Sequence, residues 1–214
     1  MDFFTSDLHL GHKNIIKFCN RPFKNVHDMN RSLVKNWNSI VTNNDTVYVL
    51  GDVFVCNPST AAKYIKKLNG RKILIKGNHD HDEKTMLGVG FDEFHRKLDY
   101  RTPNGKNALL QHYPAPSKLI KKYDMLIHGH IHIAPKVREN RVNVSCDIWD
   151  YTPVSIEEIC KLTLNNKKPV DEWCEIYTDG EILKAHLSIH VHDFSSVVEH
   201  IYEMMKDRWP RRRK

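Results

Sequence analysis

Over most of its length the chain sets short apolar runs between stretches of helical spacing. Phe3-Phe4 opens a strand that ends at Ser6-Asp7. Thr46-Val47-Tyr48-Val49-Leu50 is a second strand, closed by Gly51-Asp52, and Lys72 to Ile75 a third, followed at once by Gly77-Asn78-His79-Asp80. Ala108 to Gln111 leads into His112, and Met125-Leu126-Ile127 into His128-Gly129-His130-Ile131-His132. Between the first two strands, Met29, Leu33, Val34, Trp37, Ile40 and Val41 share one face of a helix. Asn57-Pro58 joins a cap to a first-turn proline and predicts a helix running to Leu68, with Gly70 as its stop. Alternating strand and helix predicts a layered α/β sheet, and in such sheets ligands bind beyond the carboxyl ends of the strands.

The pattern changes after about Lys161. Asn165-Asn166-Lys167-Lys168-Pro169 reads as a linker, and Tyr177-Thr178-Asp179-Gly180-Glu181 as a hairpin turn. Leu187, Ile189 and Val191 then alternate as in a strand. Ser196 and Glu199 form a capping box for a last helix with Val197, Ile201, Tyr202 and Met205 on its apolar face. The expected organisation is a main domain over residues 1–163 and a small β-β-α appendage over residues 164–214.

Composition refines this picture in three places. The formal net charge is +7, but Lys206 to Lys214 holds six basic residues and one Asp, so this stretch alone carries +5. The body is therefore nearly neutral, and contact with nucleic acid is expected only through the tail. The five cysteines, Cys19, Cys56, Cys146, Cys160 and Cys174, form no CxxC pair. That excludes a disulfide framework or a thiolate zinc site and points to a reducing, cytoplasmic setting. No apolar run approaches the roughly 20 residues that cross a bilayer, and no signal peptide is expected. Histidine is the third: 14 residues of 214, about three times ordinary usage.

The histidines fall where chemistry would place them. Five motifs follow in order: Asp7-x-His9, Gly51-Asp52, Gly77-Asn78-His79-Asp80, His112 and Gly129-His130-x-His132. In a strand-end loop residues i and i+2 can point the same way, so Asp7 and His9 can grip one ion. Asp52 has two oxygens and can bridge two cations about 3.5–4 Å apart. Asn78 offers an amide oxygen, and His112, His130 and His132 offer nitrogens. Mixed oxygen and nitrogen ligands suit Mn, Fe, Zn or Co better than Ca or Mg. His128 reads as a structural strand-end residue, and His81-Asp82 as a cap for the next helix.

In these motifs the chain resembles the calcineurin-like metallophosphoesterases. The likeness covers residues 5–132 and continues through Asn143-Val144-Ser145-Cys146-Asp147 and Trp149-Asp150 to about Ile159. Asp7-Leu8-His9-Leu10-Gly11-His12, followed by Asn20-Arg21-Pro22-Phe23, is similar to small single-domain members of bacteria and bacteriophages. The resemblance implies a four-layer αββα sandwich of two mixed β-sheets flanked by helices. It implies that Asp7, His9, Asp52 and His132 hold one metal, and Asp52, Asn78, His112 and His130 a second, with Mn favoured and Fe, Zn, Co or Ni as substitutes. In the mechanism it implies, two cations lower the pKa of a shared water. The resulting hydroxide attacks phosphorus in line, and His79 protonates the leaving group as general acid. Asp80 is expected to orient the His79 imidazole.

One departure is informative. Protein phosphatases of the superfamily continue Gly-Asp into a run ending in Arg-Gly, whereas here Val53-Phe54-Val55-Cys56 follows. Protein dephosphorylation is therefore disfavoured, and a phosphodiester or a nucleotide-type substrate favoured. His12, Lys13, Asn14 and Arg21 are the candidates for phosphate contact, set against a helix N-terminus whose own amides explain the polar residues. The alternatives are a nuclease acting on DNA or RNA, which needs a basic track to the site, and a non-catalytic scaffold of the same fold.

Overall fold

The computed structural model of the protein describes residues 1–115, 121–133 and 135–165. Strands β1 (Asp2–Thr5), β2 (Thr46–Val49), β3 (Arg71–Ile75) and β4 (Glu93–His95) lie side by side and parallel, and β10 (Val154–Ser155) runs antiparallel along β1. In the second sheet β6 (Asn107–Leu110), β7 (Met125–His128) and β9 (Arg141–Asn143) are parallel. Their edges carry the antiparallel strands β5 (Leu98–Arg101) and β8 (Val137–Arg138). Both sheets are mixed and helices flank them, the α/β sandwich the sequence predicts.

The period of two along each strand builds this arrangement. Phe3 faces α2 (Val26–Ile40), α3 (Pro58–Ile65) and α4 (Glu83–Val89), in one core with Val47, Val49, Leu74, Leu33, Trp37 and Ile65. Its neighbour Phe4 faces the other way, into a second core with Ile73, Ile75, Leu110, Met125, Ile127 and Val142. A parallel sheet covered on both faces is apolar where both faces are covered, and Val47, Val49, Ile73, Leu74 and Ile75 of β2 and β3 are all buried, whereas Arg71 and Lys72 open β3 at its less buried end. Ile156 and Ile159 of α5 (Ile156–Asn165) close the inter-sheet core beside Val154.

Element boundaries differ from the sequence reading for local reasons. α2 starts at Val26, ahead of Met29, because the Asn25 side chain accepts from the amides of His27 and Asp28, each at 3.0 Å. α3 has the expected Asn57 cap and first-turn Pro58 but ends at Ile65. There the chain tightens into three-residue turns, Lys67 N donating to Tyr64 O and Leu68 N to Ile65 O, before Gly70 turns it at φ +81°. Asp82 caps α4 through Thr85 N. The strands β4, β8, β9 and β10 carry only two or three residues, too few to show a period, and the sequence reading finds neither them nor β5. The expected C-terminal appendage and its basic tail lie outside the described residues.

Candidate active site

Each of the five motifs lies just past the end of a parallel strand: Asp7-x-His9 after β1, Gly51-Asp52 after β2, the Gly77–Asp80 run after β3, His112 after β6, and His130-x-His132 after β7. The loops stay bonded to one another beyond the strands. Asp7 N donates to Gly51 O, and His9 N to Asp52 O, both at 3.0 Å. Gly129 N donates to His112 O, and Cys146 N to Ser6 O, again at 3.0 Å. The His112 imidazole ties the two sheets together by donating from Nδ1 to Leu50 O at 2.7 Å.

The turns are sharp. Asp7, His9, Asp52 and His130 have φ of +58°, +49°, +56° and +73°, a left-handed conformation that costs a non-glycine residue roughly 1–2 kcal/mol. Backbone held this way is found where function over-determines it. It also changes how Asp7 and His9 converge, since curled backbone and not an extended i, i+2 alternation brings them together. Two motif glycines make the close approach possible. A Cβ on Gly51 would stand 2.6 Å from both Gly77 Cα and His112 Nδ1, and one on Gly129 would overlap the Ser6 hydroxyl.

Two groups of ligand atoms drawn from the motifs result, beside a third formed by Cys19, His132 and Asp147. Asp7, His9 and His132 offer atoms within 4.8 Å of one another, and so do Asp52, His112 and His130. Asp52 faces both groups, with Oδ2 3.7 Å from His9 Nε2 and Oδ1 3.5 Å from His112 Nε2. Asn78 Oδ1 lies 3.0 Å from His112 Nε2. His79 is half-buried, its amide donating to Asp52 Oδ1 at 3.0 Å and its Nε2 3.9 Å from Asp52 Oδ2. His12 brings Nδ1 to 3.3 Å from His9 Nδ1, and its ring lies 6.4 Å from that of His79. Lys13 and Asn14 are exposed at the start of α1 (Ile15–Phe18).

The donors fit divalent cations. His9 Nε2 is fully buried and has no hydrogen-bond partner among the described residues, a costly state for a polar atom left unsatisfied. Burial, with His132 and Arg21 nearby, holds its imidazole well below its usual pKa, so the ring is neutral and its lone pair is available. His112 gives its Nδ1 to the Leu50 carbonyl, which leaves Nε2 to face Asn78 Oδ1 at 3.0 Å and Asp52 Oδ1 at 3.5 Å. A cation would draw this cluster of nitrogen and oxygen atoms together. Burial works against charging His132, but Asp7 and Asp147 outweigh it and push its pKa up to about 11, so this region favours positive charge. Carboxylate, imidazole and amide oxygen together suit borderline transition metals.

Two sequence expectations are corrected. Asp80 does not orient His79. It is buried, and its carboxylate accepts from three amides, Asp52 N at 3.0 Å, Val53 N at 2.9 Å and Gly77 N at 2.7 Å, so it pins the loops after β2 and β3 to each other. Arg21 does not reach towards a substrate. Its side chain is fully buried, and all its nitrogens are engaged inside the protein: Nε and Nη2 on Asp147 at 2.8 Å each, Nη2 also on Asp7 O at 2.7 Å, and Nη1 on Leu8 O at 3.0 Å. Asp147, to which sequence reasoning assigns no role, accepts from His132 Nδ1 at 2.6 Å. Its only sequence signal is its place in the Asn143–Asp147 stretch of the resemblance.

A model of the calcineurin-like phosphoesterase family matches residues 3–207. An uncharacterized protein of Methanocaldococcus jannaschii is 38% identical over 176 residues, covering 77% of this chain and 92% of that protein. The gene 66 protein of Mycobacterium phage L5 is 30% identical over 194 residues, covering 74% of this chain and 92% of its own length. Among solved structures, a protein of unknown function from Aquifex aeolicus superposes with a TM-score of 0.64 at 32% identity, covering 76% of this chain and 98% of that one.

Proposed function

The chain belongs to the calcineurin-like phosphoesterase family, and from that premise we propose that it hydrolyses phosphate esters, phosphodiesters or nucleotide-type substrates foremost, with two divalent cations sharing Asp52. The observation that carries this reading is the place of Asp52, one carboxylate oxygen towards His9 and the other towards His112. Asp7, His9, Asp52 and His132 would hold one cation, and Asp52, Asn78, His112 and His130 the other, with manganese favoured. Bound there, the cations would lower the pKa of water and neutralise charge on the phosphoryl oxygens.

The chain's own residues supply the rest. The amide of His79 is anchored on Asp52 Oδ1, so its imidazole stands at the edge of the cation sites, placed to give a proton to the leaving oxygen at Nε2. Asp80 fixes the spacing between Asp52 and Asn78 through the backbone. His12 flanks His79 and lines the approach of the leaving group. The complete set of ligands favours an enzyme over a non-catalytic scaffold.

A matched chromogenic diester and monoester, assayed with manganese and with a chelator, tests the reading. Hydrolysis is expected with metal, faster for the diester, and none with chelator. In Asp52→Asn both turnover and bound metal should fall, and normal turnover in that variant would sink the shared-carboxylate arrangement.

A further inference from the structure

Arg21 does something that neither the motif pattern nor the family comparison assigns. It lies between α1 and α2, outside the five motifs, yet its guanidinium touches the surroundings of every member of one ligand group. Nη2 donates to the carbonyl of Asp7 and Nη1 to that of Leu8, which brackets the left-handed turn presenting Asp7 and His9. Nε and Nη2 together clamp Asp147, and Asp147 accepts the Nδ1 proton of His132. That bond sets which nitrogen His132 turns to the site, leaving Nε2, 3.9 Å from Asp7 Oδ1, as the ligand atom. The other group, Asp52, Asn78, His112 and His130, is held mainly by different means, Asp80 on the backbone and Leu50 O on His112; only the His130 amide crosses over, donating to Asp7 Oδ2 at 3.0 Å. Arg21 also lies over the Tyr151 ring at 5.7 Å, so its position is fixed on the far side as well.

We infer that Arg21 is a positioning residue which, acting through Asp147, builds the Asp7–His9–His132 cation site and sets its affinity separately from that of the Asp52–His112–His130 site. A lysine cannot reproduce this. It carries the same charge, but its single nitrogen cannot bond both oxygens of Asp147 and two backbone carbonyls in a fixed plane. Outer partners of metal-bound histidines characteristically change metal affinity by roughly 10–100-fold, and that is the size expected here.

The inference rests on the reading of the two groups as cation sites, and the experiment separates the two. Manganese bound per chain is measured by equilibrium dialysis for the full-length wild type, Arg21→Lys and Asp147→Asn, with thermal melts to show that each is folded. The wild type should bind two ions. Each variant should bind one at wild-type affinity and the second roughly 10–100-fold more weakly, and the double variant should lose no more than either single one. Adding manganese in proportion should restore both occupancy and turnover. Two ions bound by the variants at unchanged affinity would overturn the inference alone, as would equal weakening of both sites in a folded variant. A folded wild type that binds no manganese would remove the functional reading and this inference with it. Should Arg21→Lys not fold, Asp147→Asn carries the same test, because it leaves the guanidinium in place and removes the negative charge that both Arg21 and His132 bond.

Discussion

At the scale of single residues, His79 differs from the proposed ligands His9 and His112 in its access to solvent. Those two are buried, whereas the His79 side chain keeps 26% of its surface exposed. It is also tied down through its amide. A side chain anchored by its backbone and open at its tip is suited to meet something that comes and goes. His79→Ala should therefore keep its metal and lose rate, by about 10²–10⁴-fold for a lost general acid. The loss should shrink for esters with acidic leaving groups, which need little protonation. Metal analysis beside a leaving-group series checks this; a metal-free variant would make His79 a ligand instead.

At the scale of elements, the strands deliver the ligands but the loops have to be locked. The backbone of Asp52 sits in a left-handed turn and that of Gly77 crosses it closely. What holds the crossing is the Asp80 carboxylate on three amides. Hydrogen bonds to a charged acceptor contribute about 1.5–3 kcal/mol each, and buried amides left unpaired cost more than the lost bonds alone. Asp80→Ala should thus lower thermal stability and weaken metal binding together. Asp80→Asn, which keeps one acceptor oxygen, should fall between the variant and the wild type. If Asp80 acted on His79 instead, Asp80→Ala would slow turnover and leave metal affinity unchanged, a difference that titration with manganese detects.

At the scale of the whole molecule, the candidate site draws on both sheets, with Asp7, Asp52 and Asn78 from one and His112, His130 and His132 from the other. A ligand that binds only the folded arrangement stabilises it by mass action, by about 2.7 kcal/mol when it is present at 100 times its Kd. Manganese should raise the melting temperature in a concentration-dependent way, and chelator should reverse the shift. Asp52→Asn, lacking the shared carboxylate, should respond much less. A melting temperature indifferent to manganese, cobalt and zinc would contradict a metal site that spans the sheets.

How much of this was legible in advance depends on the range of the interaction concerned. A strand buried on both faces must be apolar throughout, so a polar residue of ligand type at its end stands out in one dimension. Asp7, Asp52, Asn78, His112 and His130 could be found that way, and the α/β layering followed from the same runs. Caps such as Asn57 and Asp82 act across two or three positions and were readable, whereas the Asn25 cap was not read. The partners of Arg21 and Asp80 were not. Arg21 and Asp147 stand 126 positions apart, and a charged side chain does not carry in its identity whether it meets a phosphate, a carboxylate or a backbone carbonyl. Local sequence determined which groups reach the strand ends. Which of them would hold a cation and which would hold the holders was decided by the folded chain, because burial removes water as the default partner and leaves each charge only those groups that the fold has brought within about 3 Å.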